Sequence, residues 1–293
     1  MKPQSFIKHS FCPRCRSKDI IKRGSFYRKI TKSYHQRHSC KDCKRTFSSR
    51  TNSLTYKQKR PDINYPLFKL LTSGVTLWGS ARILKVKYTS AFKKFLWLTD
   101  KAKEYHDQQQ FLVKELQFDE MESIEHTKLK PLTIALAVSE DYKILGAKVG
   151  TIPAKGPLSE IAYKKYGPRQ NESTTKIKEL LSELKPKLQS PPVLIKSDKK
   201  PSYSTIVKEI FNDTPYEQYL SRGNKEKKRE MKYQKQEKAI FDPLFALNQR
   251  CAKLRADIKR LTRRSWCTTK KKEHLERHLI LYIAHNNQYP FLA

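Results

Sequence analysis

The pattern of apolar and polar positions changes near Phe111. Before it, apolar side chains recur every three or four residues, which predicts three short helices at residues 65–71, 77–84 and 90–98. After it, alternating or continuous apolar runs predict three strands at residues 112–118, 132–138 and 144–149. The short turn at residues 139–141 favours an antiparallel meander. The chain therefore combines a helical segment with a following sheet.

The sequence beyond the meander adds a crossover. An amphipathic pattern predicts a helix at residues 172–184, and the apolar run Val193-Leu194-Ile195 predicts a strand buried on both faces that ends at Ser197-Asp198. A further helix is expected at residues 204–211. Three antiparallel strands, a crossover helix and a buried strand ending in Asp are typical of a ribonuclease-H-like fold.

The expected sheet order predicts a metal site. In such a sheet the first and fourth strands are adjacent and parallel, so Asp119 and Asp198 become neighbours although 79 positions separate them. Close carboxylates repel each other, and a divalent cation removes that penalty. By strand alternation, Glu120 and Glu122 are expected to point away from Asp119.

Composition indicates the partner. The 293 residues carry 62 Lys and Arg against 28 Asp and Glu, a formal charge of +34 that calls for an anionic partner, above all nucleic acid. No apolar run reaches membrane-spanning length, and residues 1–11 lack the apolar region of a signal peptide. We therefore expect a soluble, cytoplasmic protein with no membrane partner, in which the six cysteines bind metal or remain free thiols.

Four of the cysteines have the spacing of a zinc ribbon. Cys12 and Cys15 form one CxxC pair, Cys40 and Cys43 form a second, and 24 residues lie between them. Two such pairs complete tetrahedral zinc coordination. Residues 1–60 also carry 18 Lys and Arg against two Asp, so the ribbon should present a basic surface. With four thiolates available, His35 and His38 are expected at the surface.

Several basic segments are candidates for DNA contacts. The three short helices suit a helix-turn-helix, with Lys93 and Lys94 exposed, although a plain helical bundle fits equally well. The charge run at residues 222–238 favours a solvated segment, with phosphate contacts as the alternative. A helix at residues 247–261 would place Asn248, Ala252, Arg255 and Lys259 in one row, and a last helix is expected at residues 270–287.

The order of these parts resembles the zinc-ribbon transposases of small bacterial insertion sequences, the insertion-sequence-one type. The motifs that carry this resemblance are Cys12-Pro13-x-Cys15 with Cys40-x-x-Cys43-Lys44-Arg45-Thr46-Phe47, Phe118-Asp119-Glu120-Met121, Ser197-Asp198 with Ser202-Tyr203, and Leu254-Arg255-x-x-Ile258-Lys259-Arg260-Leu261-x-Arg263.

The resemblance implies an activity and a site. It implies DNA strand cleavage and strand transfer at the ends of an element, with Mg²⁺ or Mn²⁺ as the catalytic ion. The implied partners are double-stranded DNA, both the terminal repeats and the target. The implied assembly is a homodimer on DNA, associated with the bacterial nucleoid. Asp119 and Asp198 would be catalytic metal ligands. The family's usual third acid maps onto Asn248, whose amide oxygen can ligate a hard cation. Glu273 and Glu276 are the alternatives for that position.

Other readings of the same residues remain open. A zinc-ribbon DNA-binding protein without catalysis explains the charge and the cysteines, a catalytically defective transposase explains Asn248, and a nuclease on the same fold shares the metal site. The expected organisation is a zinc ribbon at residues 1–50, a linker at 51–61, a helix-turn-helix segment at 62–105 and a catalytic domain at 108–290.

Overall fold

The chain divides into two units, residues 1–65 and 66–291. The computed structural model describes residues 11–29, 33–48, 50–51, 53–219, 242–262 and 267–292. The charge run at residues 222–238 and Arg263 of the helical motif lie outside the described residues.

The first unit contains a small antiparallel sheet. Its strands are β1 (Ile20–Arg28), β2 (Ser33–Cys40) and β3 (Thr46–Ser48), in the order β1-β2-β3. Its buried apolar cluster consists of Cys12, Cys40 and Phe47. So few apolar side chains cannot stabilise a fold by burial alone, and a metal clip is the usual remedy.

The expectation for His35 is wrong. Its side chain is buried, because β2 turns it inward toward Phe26, whose ring centroid lies 5.8 Å from that of His35.

Three helices begin the helical part of the chain, as predicted. They are α1 (Asn64–Thr72), α2 (Leu77–Ile83) and α3 (Tyr88–Asp107). The third continues nine residues beyond the predicted end at residue 98, because Leu98, Ala102 and His106 extend its buried stripe. The intervening charged residues hid that stripe in the sequence. Four charged residues form two ion pairs along the helix, Lys101 with Glu104 and Lys103 with Asp107.

A five-stranded mixed sheet organises the second unit. Its strands are β4 (Glu115–Glu125), β5 (Thr127–Ser139), β6 (Ile144–Thr151), β7 (Leu194–Asp198) and β8 (Tyr216–Tyr219), in the order β6-β5-β4-β7-β8. The β4–β5 and β5–β6 pairs are antiparallel, whereas β4–β7 and β7–β8 are parallel. The predicted meander and the parallel pairing of its first strand with the fourth strand are confirmed. Leu112, predicted within the first strand, precedes it and is 69% exposed.

Helices pack on both faces of this sheet. On one face, α5 (Ser173–Leu184) and α6 (Pro201–Ile210) share a core with Leu116, Phe118 and Ile195. On the other face, α7 (Phe245–Asp257) and α8 (Lys272–Asn286) share a core with Met121, Ile134 and Leu136. A short helix that the sequence did not predict, α4 (Leu158–Tyr166), buries only Ala162.

The predicted helix at residues 247–261 is interrupted. It ends at Asp257, Ile258 adopts an extended backbone (φ −102°, ψ 105°), and a separate 3-10 helix spans Lys259–Leu261. The break allows both Ile258 and Leu261 to enter the α7–α8 core. Lys259 therefore does not continue the row of Asn248 and Arg255, and that prediction is wrong. Among the residues described, no helix is long and apolar enough to span a membrane.

Candidate metal centre and carboxylate site

The four predicted cysteines converge at one point. Their sulfur atoms all lie within 4.8 Å of one another, with 3.7 Å between Cys12 and Cys43 and 3.5 Å between Cys15 and Cys40. Tetrahedral zinc with Zn–S bonds of about 2.3 Å requires S···S edges of about 3.8 Å. A backbone hydrogen bond from Cys15 lowers the pKa of the Cys12 thiol to about 6, whereas burial and the neighbouring cysteine side chains raise the pKa of Cys15 to about 12. Four sulfur atoms this close do not all become thiolates without a cation to compensate their charge. The cluster is positioned to bind a metal ion and suits structural zinc.

A second candidate site lies where β4 and β7 run side by side. Their parallel register pairs Phe118 with Ser197, so the following residues on the two strands are Asp119 and Asp198. Both strands are anchored just before this point by the fully buried Leu116, Phe118 and Ile195. The sheet therefore brings the two predicted aspartates to adjacent positions.

Burial changes the acidity of both aspartates. Burial, followed by the neighbouring Asp198 carboxylate, raises the pKa of Asp119 to about 7. The pKa of Asp198 is also raised by burial, against the opposing charge of Lys200. The Oδ1 atom of Asp198 is buried and has no hydrogen-bond partner. A buried carboxylate oxygen without a donor is costly, and a cation ligated there would compensate it.

Three further residues join this carboxylate site. The Tyr203 hydroxyl donates to Oδ1 of Asp119 at 3.3 Å and also hydrogen-bonds Glu120, although the Tyr203 side chain is fully buried. Lys200 Nζ lies 2.7 Å from Glu120 Oε1. Negative charge on Glu120 contributes to raising the pKa of both Asp119 and Asp198. Strand alternation turns Glu120 away from Asp119, yet Glu120 still acts on the site, because Tyr203 of α6 hydrogen-bonds both residues and Lys200, just before α6, pairs with Glu120.

The first turns of α7 lie beside the strand that carries Asp119. Gln117 Oε1 accepts a hydrogen bond from the backbone N–H of Leu247 at 3.0 Å, and the Asp119 charge contributes to the raised pKa of Cys251. Asn248 lies between these two points and is exposed. Its side-chain nitrogen donates to Asp242 Oδ2 at 2.8 Å, so its oxygen remains available as a ligand.

The predicted DNA-binding residues and the two alternative glutamates make no described contact with Asp119 or Asp198. Arg255, half-buried, lies one turn beyond Cys251 and within electrostatic reach of it. Lys259 is exposed, and on α3 Lys93 is exposed while Lys94 is half-buried. Glu273 and Glu276 line a cavity of about 340 Å³ that includes residues of β6, two strands away from β4.

Sequence reasoning missed Glu120 and Lys200 as members of the carboxylate site. Strand alternation predicts only the face to which Glu120 points. It does not predict that the Tyr203 hydroxyl, from a distant part of the chain, hydrogen-bonds both Asp119 and Glu120. The one available signal was the Ser202-Tyr203 motif, which follows directly on Lys200-Pro201.

No known protein family has a model that matches this chain. Comparison with curated proteins likewise finds no relative. Any assignment of function therefore depends on the geometry above and on the motifs that resemble the insertion-sequence enzymes.

Proposed function

We propose that this protein is a DNA transposase that binds the ends of its element and carries out metal-dependent strand cleavage and strand transfer. The observation that carries the proposal is the adjacency of Asp119 and Asp198 on two parallel strands, with a buried carboxylate oxygen of Asp198 that lacks a partner. Neighbouring, partly buried carboxylates with raised pKa values are typical of functional sites.

The sheet supports a ribonuclease-H-like catalytic domain. Three antiparallel strands followed by two parallel ones, with helices on both faces, are the arrangement expected of that fold. The helices α1, α2 and α3 would form the helix-turn-helix segment, with Lys93 and Lys94 toward DNA.

Asp119 and Asp198 would hold Mg²⁺ or Mn²⁺, with the Asn248 side-chain oxygen as a third donor. These are the hard oxygen ligands that both ions prefer. When bound, the metal would activate the attacking oxygen and stabilise the leaving oxygen in phosphoryl transfer.

The chain's own groups prepare this site. The Tyr203 hydroxyl orients Asp119 by donating a hydrogen bond to it. Lys200 holds Glu120, whose charge would otherwise face the two aspartates without compensation. Partial burial removes some of the water around Asp119 and so strengthens its interaction with any cation.

The two units would divide DNA recognition. The zinc ribbon of the first unit would bind the terminal repeats, with zinc held by Cys12, Cys15, Cys40 and Cys43. In the second unit, Arg255 would contact a DNA phosphate near the carboxylate site. Joining two ends calls for two copies of the chain, so we propose a homodimer on DNA.

A strand-transfer assay tests this function. The full-length protein is incubated with Mg²⁺, a duplex carrying the ends of its element and a target plasmid, and cleavage and joining are followed separately. Asp119→Asn and Asp198→Asn should abolish both products. The exposed Asp213, in the loop between α6 and β8, provides the matched control Asp213→Asn, which should remain active.

Each alternative gives a different result in this assay. Zinc-dependent binding of the ends without cleavage would refute the enzyme and favour a non-catalytic DNA-binding protein or a defective transposase. Cleavage without joining would indicate a nuclease. Products that persist in both aspartate variants would refute the site. Full activity of Asn248→Ala would exclude Asn248 as the third ligand.

A further inference from the structure

A wide groove opens beyond the carboxylate site, at the outer ends of β4 and β5. We call it the hairpin groove. It has a volume of about 890 Å³ and is bounded by the β4–β5 hairpin, by the segment that follows β6, and by residues 260–262, 268 and 270. Four cationic side chains line it, Lys128, Lys155, Arg260 and Lys270, against the single carboxylate of Glu122 among the described lining residues.

Most of this positive charge is not neutralised. Glu122 already pairs with Lys155, Nζ to Oε1 2.6 Å, in an exposed ion pair. In the part of the chain that the structure describes, Lys128, Arg260 and Lys270 have no carboxylate within ion-pair distance. An anionic ligand is the missing partner for these three side chains.

Of these three cations, Arg260 is the one that burial most disfavours without an anionic partner. Its side chain is partly buried, and burial lowers its pKa. The groups within electrostatic reach of it are Tyr88, Cys267, His274 and His278, and none of these is a carboxylate. Removing a guanidinium from water without an acidic partner is unfavourable unless a ligand supplies the charge.

The other large cavity of this unit provides a contrast. It is lined by Lys148, Lys187 and Arg277, yet these cations pair with Glu183, Asp107 and Asp100 respectively. Its charges are satisfied within the protein. Of these two cavities, only the hairpin groove has cations available to a polyanion.

The position of the groove relates it to the carboxylate site. Glu122 lies three residues beyond Asp119 on the same strand, a distance of about 10 Å at roughly 3.3 Å per residue. Phosphates of one strand advance about 3.4 Å per nucleotide along the duplex axis, so a duplex whose axis follows β4 would reach the groove within about three base pairs of the aspartates.

We infer that the hairpin groove binds the phosphate backbone of DNA extending from the carboxylate site, through Lys128, Arg260 and Lys270. This inference rests on the proposed function, since the strand it holds is the one presented to Asp119 and Asp198. It also moves the phosphate contact predicted for Lys259 to the neighbouring Arg260.

A salt titration tests the groove without requiring chemistry. Binding of the full-length, zinc-loaded protein to a fluorescein-labelled duplex of arbitrary sequence is followed by anisotropy in magnesium-free buffer over a range of KCl concentrations. The variant Lys128→Gln/Lys270→Gln is compared with Lys178→Gln/Lys208→Gln, a control with the same loss of charge at exposed positions on α5 and α6.

The expected result is a change in slope. Each lost phosphate contact lowers the dependence of log K on log[salt] by about 0.9, so the groove variant should lose about 2 units of slope and the control less than half of that. Arg260→Gln should remove about one further unit, and Arg260→Lys should retain it. Unchanged tryptophan fluorescence shows that each variant is folded.

Other outcomes would overturn the inference. Equal changes in the groove and control variants would mean that DNA binds through diffuse charge. Equally strong displacement by duplex RNA would overturn the assignment to DNA. The proposed function fails separately: if wild-type protein cleaves no ends but the groove variant still loses slope, the groove binds DNA and the transposase proposal is wrong.

Discussion

Replacing Asp119 by Asn should stabilise the protein when no divalent cation is present. The raised pKa of Asp119, about 7 against 3.8 for an ordinary aspartate, means that the folded chain disfavours the charged form. A shift of about three units corresponds to roughly 4 kcal/mol. An uncharged amide of the same shape avoids that cost.

The effect must depend on pH with a defined sign. Because the folded pKa is the higher one, the folded protein binds more protons than the unfolded chain between pH 3.8 and about 7. Stability due to Asp119 is therefore present at low pH and is lost as the pH rises through this window. The free energy of unfolding of Asp119→Asn should equal that of the wild type near pH 4 and exceed it by up to about 4 kcal/mol at pH 8.

Urea unfolding followed by tryptophan fluorescence measures this difference. The two tryptophans that the structure describes, Trp78 and Trp97, lie on α2 and α3 of the second unit, which also contains Asp119. Asp213→Asn, at an exposed position, controls for the change in net charge. A difference that does not vary with pH, or a variant that is less stable throughout, would refute the assignment of Asp119 to a partly buried acidic pair.

Two further predictions concern the zinc cluster and Tyr203. Removing zinc with a chelator, or replacing Cys40 by Ser, should make the first unit susceptible to trypsin. The unfolding transition of the second unit, followed by tryptophan fluorescence, should not change. A first unit that resists trypsin without zinc would contradict a structural role for the metal. Tyr203→Phe removes a hydrogen bond that lowers the pKa of Asp119, so the pH at which Mg²⁺-dependent cleavage reaches half its maximum should rise, with a stability loss of about 1 kcal/mol. The exposed Tyr163→Phe is the control, and an unchanged pH profile for Tyr203→Phe would argue against its contact with Asp119.

The sequence by itself determined most of the local elements and the four members of the cysteine cluster. CxxC spacing forces two thiolates into one turn, so Cys12, Cys15, Cys40 and Cys43 could be named without a structure. Alternating or continuous apolar runs identified β4 to β6, and the continuous run Val193-Leu194-Ile195 identified β7, because a strand buried on both faces must be apolar on both. The sheet order expected of a ribonuclease-H-like fold predicted that β4 and β7 lie side by side.

The tertiary structure decided where α7 ends and which sites the charged residues Glu120 and Arg260 belong to. Nothing in local periodicity showed that the helix begun at Phe245 would end at Asp257, because the reason is the fit of Ile258 and Leu261 to a core formed by distant residues. For the same reason Glu120 joined the carboxylate site and Arg260 the hairpin groove. The sequence determines which residues are apolar and how they are spaced, whereas the surroundings of a charge depend on contacts between residues far apart in the chain.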